Sequence, residues 1–112
     1  MLSIGRAFMG RPILMLLDEP SLGLSPKLIE TIYAIIERIN LEQNVAILLV
    51  EQNANAALKV ANYGFVMEVG RIVVDATKEK LLENEDIKEF YLGQSSDSIR
   101  GEKRWKKRKT WR

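Results

Sequence analysis

The run Ile13-Leu14-Met15-Leu16-Leu17, followed by Asp18-Glu19-Pro20, constrains this chain more than any other stretch. Five apolar residues in succession, with no polar alternation, predict a parallel-sheet strand buried on both faces. Pro20 cannot donate to a central ladder, so the strand ends there. In an open α/β sheet the carboxyl ends of the strands form the ligand crevice, which places Asp18 and Glu19 where a site would lie. Successive strand side chains point in opposite directions. One carboxylate can then hold a cation such as Mg²⁺ while the other orients or deprotonates a water, a division of labour suited to nucleotide hydrolysis. Taken alone, two acids after an apolar run are equally the solvated end of a strand.

The rest of the chain reads as alternating helix and strand. Residues 1–10 suit a short helix, stopped by Gly10 and Pro12. Ser25 is a good N-cap and Pro26 fits the first helical position. Leu28, Ile29, Ile32, Ile35, Ile36 and Ile39 then recur at helical spacing, with Lys27, Glu30, Glu37 and Arg38 on other faces, as in a core-packing helix. Residues 40–44 form a connection and 45–50 a second buried strand. Asn53 caps the helix that follows. Segments 63–68 and 71–75 flank Val69-Gly70 as a hairpin, Thr77 can cap a short helix over 78–84, and helical patterning resumes over 87–92. Gly5-x-x-x-x-Gly10-Arg11-Pro12 imitates the spacing of a phosphate-binding loop, but Arg and Pro replace the required Lys and Ser/Thr, and the segment precedes its strand.

With 112 residues the chain can form one domain with a modest core, and 46% apolar with 29% charged residues is ordinary for a globular protein. It has no Cys and no His, which removes disulfides, thiol catalysis, Cys/His zinc sites and His-based triads. No apolar run approaches the roughly 20 residues of a spanning helix. Arg6 and Arg11 interrupt the apolar segment near the start, which is unlike a signal peptide. Charge is uneven. Residues 100–112 carry eight basic side chains and one acid, against nine basic and fourteen acidic in residues 1–99.

The apolar strand with Asp18-Glu19-Pro20 resembles the Walker B motif of ATP-binding-cassette (ABC) transporter ATPases. Ser21-Leu22-Gly23-Leu24-Ser25-Pro26 resembles the D-loop and the start of the next helix. Ile47-Leu48-Leu49-Val50-Glu51-Gln52-Asn53-Ala54-Asn55-Ala56-Ala57-Leu58 is similar to one branch, the ATPase subunits of branched-chain amino-acid importers. The resemblance covers residues 1 to about 93. It implies an α/β fold: the C-terminal portion of a P-loop NTPase domain, a mostly parallel sheet flanked by helices, with a C-terminal hairpin. Residues 94–112 are then a basic tail. It implies ATP and Mg²⁺ as cofactors, with Asp18 on Mg²⁺, Glu19 as catalytic base, and Leu22, Gly23, Leu24 and Ser25 as D-loop. Gln52 takes the place of the usual switch histidine as γ-phosphate sensor. Gln can donate a hydrogen bond to a phosphate oxygen but cannot titrate. A polar strand-end residue is the plainer reading of Gln52. Ser25 replaces the family's usual Asp, keeping a capping oxygen and losing the charge.

The implied partners are a second ATPase subunit, transmembrane permease subunits and, indirectly, a periplasmic or extracellular amino-acid-binding protein. The implied location is the cytoplasmic face of the cell membrane. The sequence contains neither Gly-x-x-x-x-Gly-Lys-Ser/Thr nor a Leu-Ser-Gly-Gly-Gln-like signature, so the chain alone is expected to be inactive. Met1 coincides with an internal position of full-length relatives, and a truncated gene or a start assigned too far downstream is the simplest expectation. Two alternatives stand beside this. One is a fragment of another ABC branch, such as a lipid or polysaccharide exporter, where His would be expected in place of Gln52. The other is a non-enzymatic module whose basic, Trp-containing tail meets anionic membrane or nucleic acid. A solvated tail is the default for such a charge block, the membrane surface is the next choice, and nucleic acid comes last for want of a recognised binding fold.

Overall fold

The computed structural model describes residues 2–93, so the expectation of a basic tail lies outside the described residues. The chain divides into two compact units, Met1–Val60 and Ala61–Arg112.

The first unit is a β-α-β crossover with a helix at each end. Helix α1 (Leu2–Met9) leads to strand β1 (Leu14–Asp18), helix α2 (Pro26–Gln43), strand β2 (Ala46–Val50) and helix α3 (Ala54–Val60). β1 and β2 pair in parallel, with Leu14 opposite Ala46, Leu16 opposite Leu48 and Asp18 opposite Val50. Parallel neighbours require a long crossover, and the 18-residue α2 supplies it. Ser25 caps α2 as expected, its hydroxyl accepting from the Leu28 amide, and Pro26 sits in the first turn. Asn53 likewise caps α3, accepting from the Ala56 amide.

α2 runs four residues beyond Ile39, its last expected apolar contact, to Gln43. Leu41, Glu42 and Gln43 are good helix formers, and Arg38 pairs with Glu42 one turn on at 3.3 Å. The helix ends at Asn44, which adopts the left-handed conformation that Asn tolerates. The Asn40 amide then donates to the Val45 carbonyl at 2.9 Å and starts β2.

The core joins Met15 and Leu17 of β1 to Ile32, Tyr33, Ile36 and Ile39 of α2, with Ile4, Val45 and Ala56. This corrects one expectation. β1 is buried on one face only: Met15 and Leu17 are 2% and 8% exposed, whereas Leu14 is 51% and Leu16 67% exposed. The helices of this unit cover the Met15/Leu17 side, and among the described residues of this unit nothing covers Leu14, Leu16, Leu48 and Val50 on the other.

The second unit is an antiparallel hairpin with two short helices. β3 (Tyr63–Glu68) and β4 (Arg71–Thr77) pair from Glu68–Arg71 to Tyr63–Thr77, with a register shift at Val66/Met67. Val69 and Gly70 both have positive φ, 47° and 72°, as a two-residue hairpin turn of the type I′ class demands. Helix α4 (Lys78–Glu83) follows at once. Thr77 holds its N-cap position but makes no side-chain cap bond. Asn84, not foreseen as a cap, closes α4 and opens α5 (Glu85–Phe90), its side chain accepting from the Asp86 and Ile87 amides. Leu81, Ile87 and Leu92 form the buried centre, and Tyr91 donates a hydrogen bond to Glu68. Among the described residues no helix is long and apolar enough to cross a membrane.

Candidate functional site

Parallel pairing brings the carboxyl ends of β1 and β2 together. Asp18 lies opposite Val50, so Asp18-Glu19 and Glu51-Gln52 leave the ladder side by side. The ladder continues one step past the strand: the Glu19 amide donates to the Val50 carbonyl at 2.8 Å. Asp18 and Gln52 are exposed and Glu19 is half-buried. Three residues nominated from the sequence therefore share one edge.

Glu19 has φ of 46°, the left-handed region. A non-Gly residue there stores strain of a kind that clusters at functional sites. The backbone then turns twice, with the Leu22 amide donating to the Glu19 carbonyl at 3.1 Å and the Leu24 amide to Ser21 at 3.2 Å. Gly23, at φ 75°, makes the second turn possible. Within the expected D-loop, Leu22 is exposed, Leu24 packs against the core, and the Ser25 hydroxyl is occupied in capping α2.

Sequence reasoning passed over Glu51. Its carboxylate accepts from both the backbone amide and the hydroxyl of Ser21, at 3.3 and 2.7 Å. These bonds tie the turn after Glu19 to the segment that carries Gln52. The available signal was an acid directly after an apolar strand, the same signal that singled out Asp18. Tyr33 of α2 was expected only as part of a helix. Its side chain is 5% exposed, and its hydroxyl has no hydrogen-bond partner among the described residues. Burial first, then the neighbouring Glu51 carboxylate, push the phenol's pKa above its ordinary value, while Ser21 acts in the other direction.

Among the described residues no three acidic side chains gather to hold a metal ion. Asp18 offers one exposed carboxylate. That suits Mg²⁺ in its phosphate-bound form, which keeps several waters and leans on one or two carboxylates plus substrate phosphates. It does not suit a metal held by protein alone. A shallow cleft of about 230 Å³ between α2 and α3, lined by Ile29, Tyr33, Ala34, Ala56 and Val60 among others, includes none of Asp18, Glu19, Glu51 or Gln52.

The chain is 54% identical over 93 residues to the high-affinity branched-chain amino acid transport ATP-binding protein BraG of Pseudomonas aeruginosa, covering 83% of this chain and 40% of BraG. It is 34% identical over 94 residues to BraF of the same organism, also a high-affinity branched-chain amino acid transport ATP-binding protein, covering 84% of this chain and 37% of BraF. Among solved structures it matches the ADP conformation of MJ1267, an ATP-binding cassette of an ABC transporter, with a TM-score of 0.67 at 25% identity over 83% of this chain and 38% of that one. No protein-family model matches. The chain belongs to the ABC ATPase family, and its fold is part of that cassette. It spans about two fifths of the length of these relatives. Within the family it corresponds to the C-terminal part of a branched-chain amino acid transport ATP-binding subunit.

Proposed function

We propose that this chain supplies the acid-bearing edge of the ATP-hydrolysing site in a branched-chain amino-acid importer. The observation that carries this is the meeting of Asp18 and Glu19 with Gln52 at the carboxyl end of β1 and β2, in a chain 54% identical to BraG. Asp18 would hold Mg²⁺, which would supply charge neutralisation for the transferring phosphoryl group. Glu19 accepts the proton of the attacking water. The Gln52 amide donates to a γ-phosphate oxygen, without the pH dependence a histidine would bring. Leu22, Gly23, Leu24 and Ser25 form the loop that faces a second ATPase subunit. Permease subunits receive the resulting motion at the cytoplasmic face of the membrane, and an external amino-acid-binding protein acts further upstream.

The phosphate cradle has to come from residues outside this sequence, because the sequence contains no Gly-x-x-x-x-Gly-Lys-Ser/Thr. The test is a chimera in which residues 1–93 replace the matching 93 residues of BraG, produced with its transporter partners. ATP hydrolysis and leucine uptake are expected, and Glu19→Gln should abolish both. An assembled chimera that binds ATP and does not hydrolyse it would overturn the proposal.

A further inference from the structure

We propose that Glu51 is a positioning residue for hydrolysis, holding the turn that carries Glu19 in register with the segment that carries Gln52. This rests on the ATPase reading above and adds to it a residue that acts through Glu19 and Gln52. Glu51 immediately precedes Gln52, and its partner Ser21 lies two residues after Glu19. One carboxylate oxygen, Oε1, accepts both the Ser21 hydroxyl at 2.7 Å and the Ser21 amide at 3.3 Å, across a separation of 30 residues. Hydrogen bonds to an ionised acceptor are shorter and roughly twice as strong as neutral ones. The pair is half-buried, so water competes for it less than at an open surface.

The turn needs such a restraint. Glu19 is held at φ 46°, a conformation that persists only where the surroundings over-determine it. Before Glu19 the restraint is the bond from its own amide to Val50. After it, within the next two residues, comes the pair of bonds to Glu51. Together they clamp residues 19–21 to 50–51 from both sides. Releasing the second clamp frees the Glu19 backbone to relax, and its carboxylate then loses its aim at the water. Misplacement of a catalytic group by about 1 Å can cost on the order of 100-fold in rate.

Two measurements decide it. In the 112-residue chain, hydrogen exchange at the Ser21 and Leu22 amides should quicken at least about tenfold in Glu51→Ala and change little in Glu51→Gln, which keeps an accepting oxygen. In the BraG chimera, Glu51→Ala should lower kcat by about 10- to 100-fold with KM for ATP within about threefold, the signature of lost transition-state alignment. Glu51→Gln should restore most of the rate. Ser21→Ala, a milder change, should lower kcat less, and its effect should not add to that of Glu51→Ala. Parental exchange rates in Glu51→Ala, or a parental kcat in an active chimera, would overturn the proposal. An inactive parental chimera would sink the ATPase reading instead, and the exchange rates would still decide whether Glu51 clamps the turn.

Discussion

Tyr33 buries a hydroxyl that has no hydrogen-bond partner among the described residues. Such a group costs about 1–3 kcal/mol when left unsatisfied, so Tyr33→Phe should be neutral or stabilising near pH 7. The same burial, aided by Glu51, holds the phenol's pKa above its ordinary value. The folded chain then keeps a proton that the unfolded chain releases from about pH 10 upward. The Tyr33 contribution is thus fully present below about pH 10 and is lost as pH rises beyond it. Urea midpoints measured from pH 7 to 11 should fall more steeply for the parent than for Tyr33→Phe, and equal slopes would refute this. Val69 presents a second residue-scale conflict. It is β-branched, 95% exposed and left-handed at φ 47°. Asn is preferred before Gly at such a turn, so Val69→Asn should stabilise the hairpin by about 1 kcal/mol. Slower hydrogen exchange in β3 and β4 would register the gain.

At the scale of elements, the β1–β2 ladder carries apolar side chains on both faces while helices cover one. Parallel sheets are ordinarily covered on both. Leu16 and Leu48 are register partners, 67% and 51% exposed, and they form the middle of an open apolar strip with Leu14 and Val50. Strips of this kind promote self-association. Replacing the pair by Leu16→Glu with Leu48→Lys puts opposite charges directly across the ladder. Light scattering at rising concentration should show less association than the parent, with the far-UV circular dichroism unchanged. Unaltered association would mean that another surface, such as the exposed Tyr63, Phe65 and Met67 of β3, drives it.

At the scale of the whole molecule, the decisive fact is the absence of a phosphate cradle from a sequence that carries the acids. Phosphoryl transfer depends on positioning and charge stabilisation more than on covalent chemistry. The purified 112-residue chain should therefore turn over no ATP above background, with or without Mg²⁺. Turnover that disappears in Glu19→Gln would show that its own residues can hold the phosphates after all. The 54% identity to BraG makes the BraG chimera the setting in which the same acids are expected to work.

Much of this was legible in the residues. Period, caps and turn chemistry act over four or five positions, which is why Ser25, Pro26, Asn53, the Val69-Gly70 turn and the Asp18-Glu19 strand end could all be located without a structure. Asp18 and Glu19 could be nominated because they close an apolar run, and Gln52 through the resemblance of residues 47–58 to the importer ATPases. Tertiary structure alone decided which face of β1 would be covered, since an apolar run carries no alternation to say so. It alone paired Ser21 with Glu51 across 30 residues, and it alone buried the Tyr33 hydroxyl against that pair. Those outcomes depend on how the α2 crossover packs on the sheet, a relation between distant segments that no local pattern encodes.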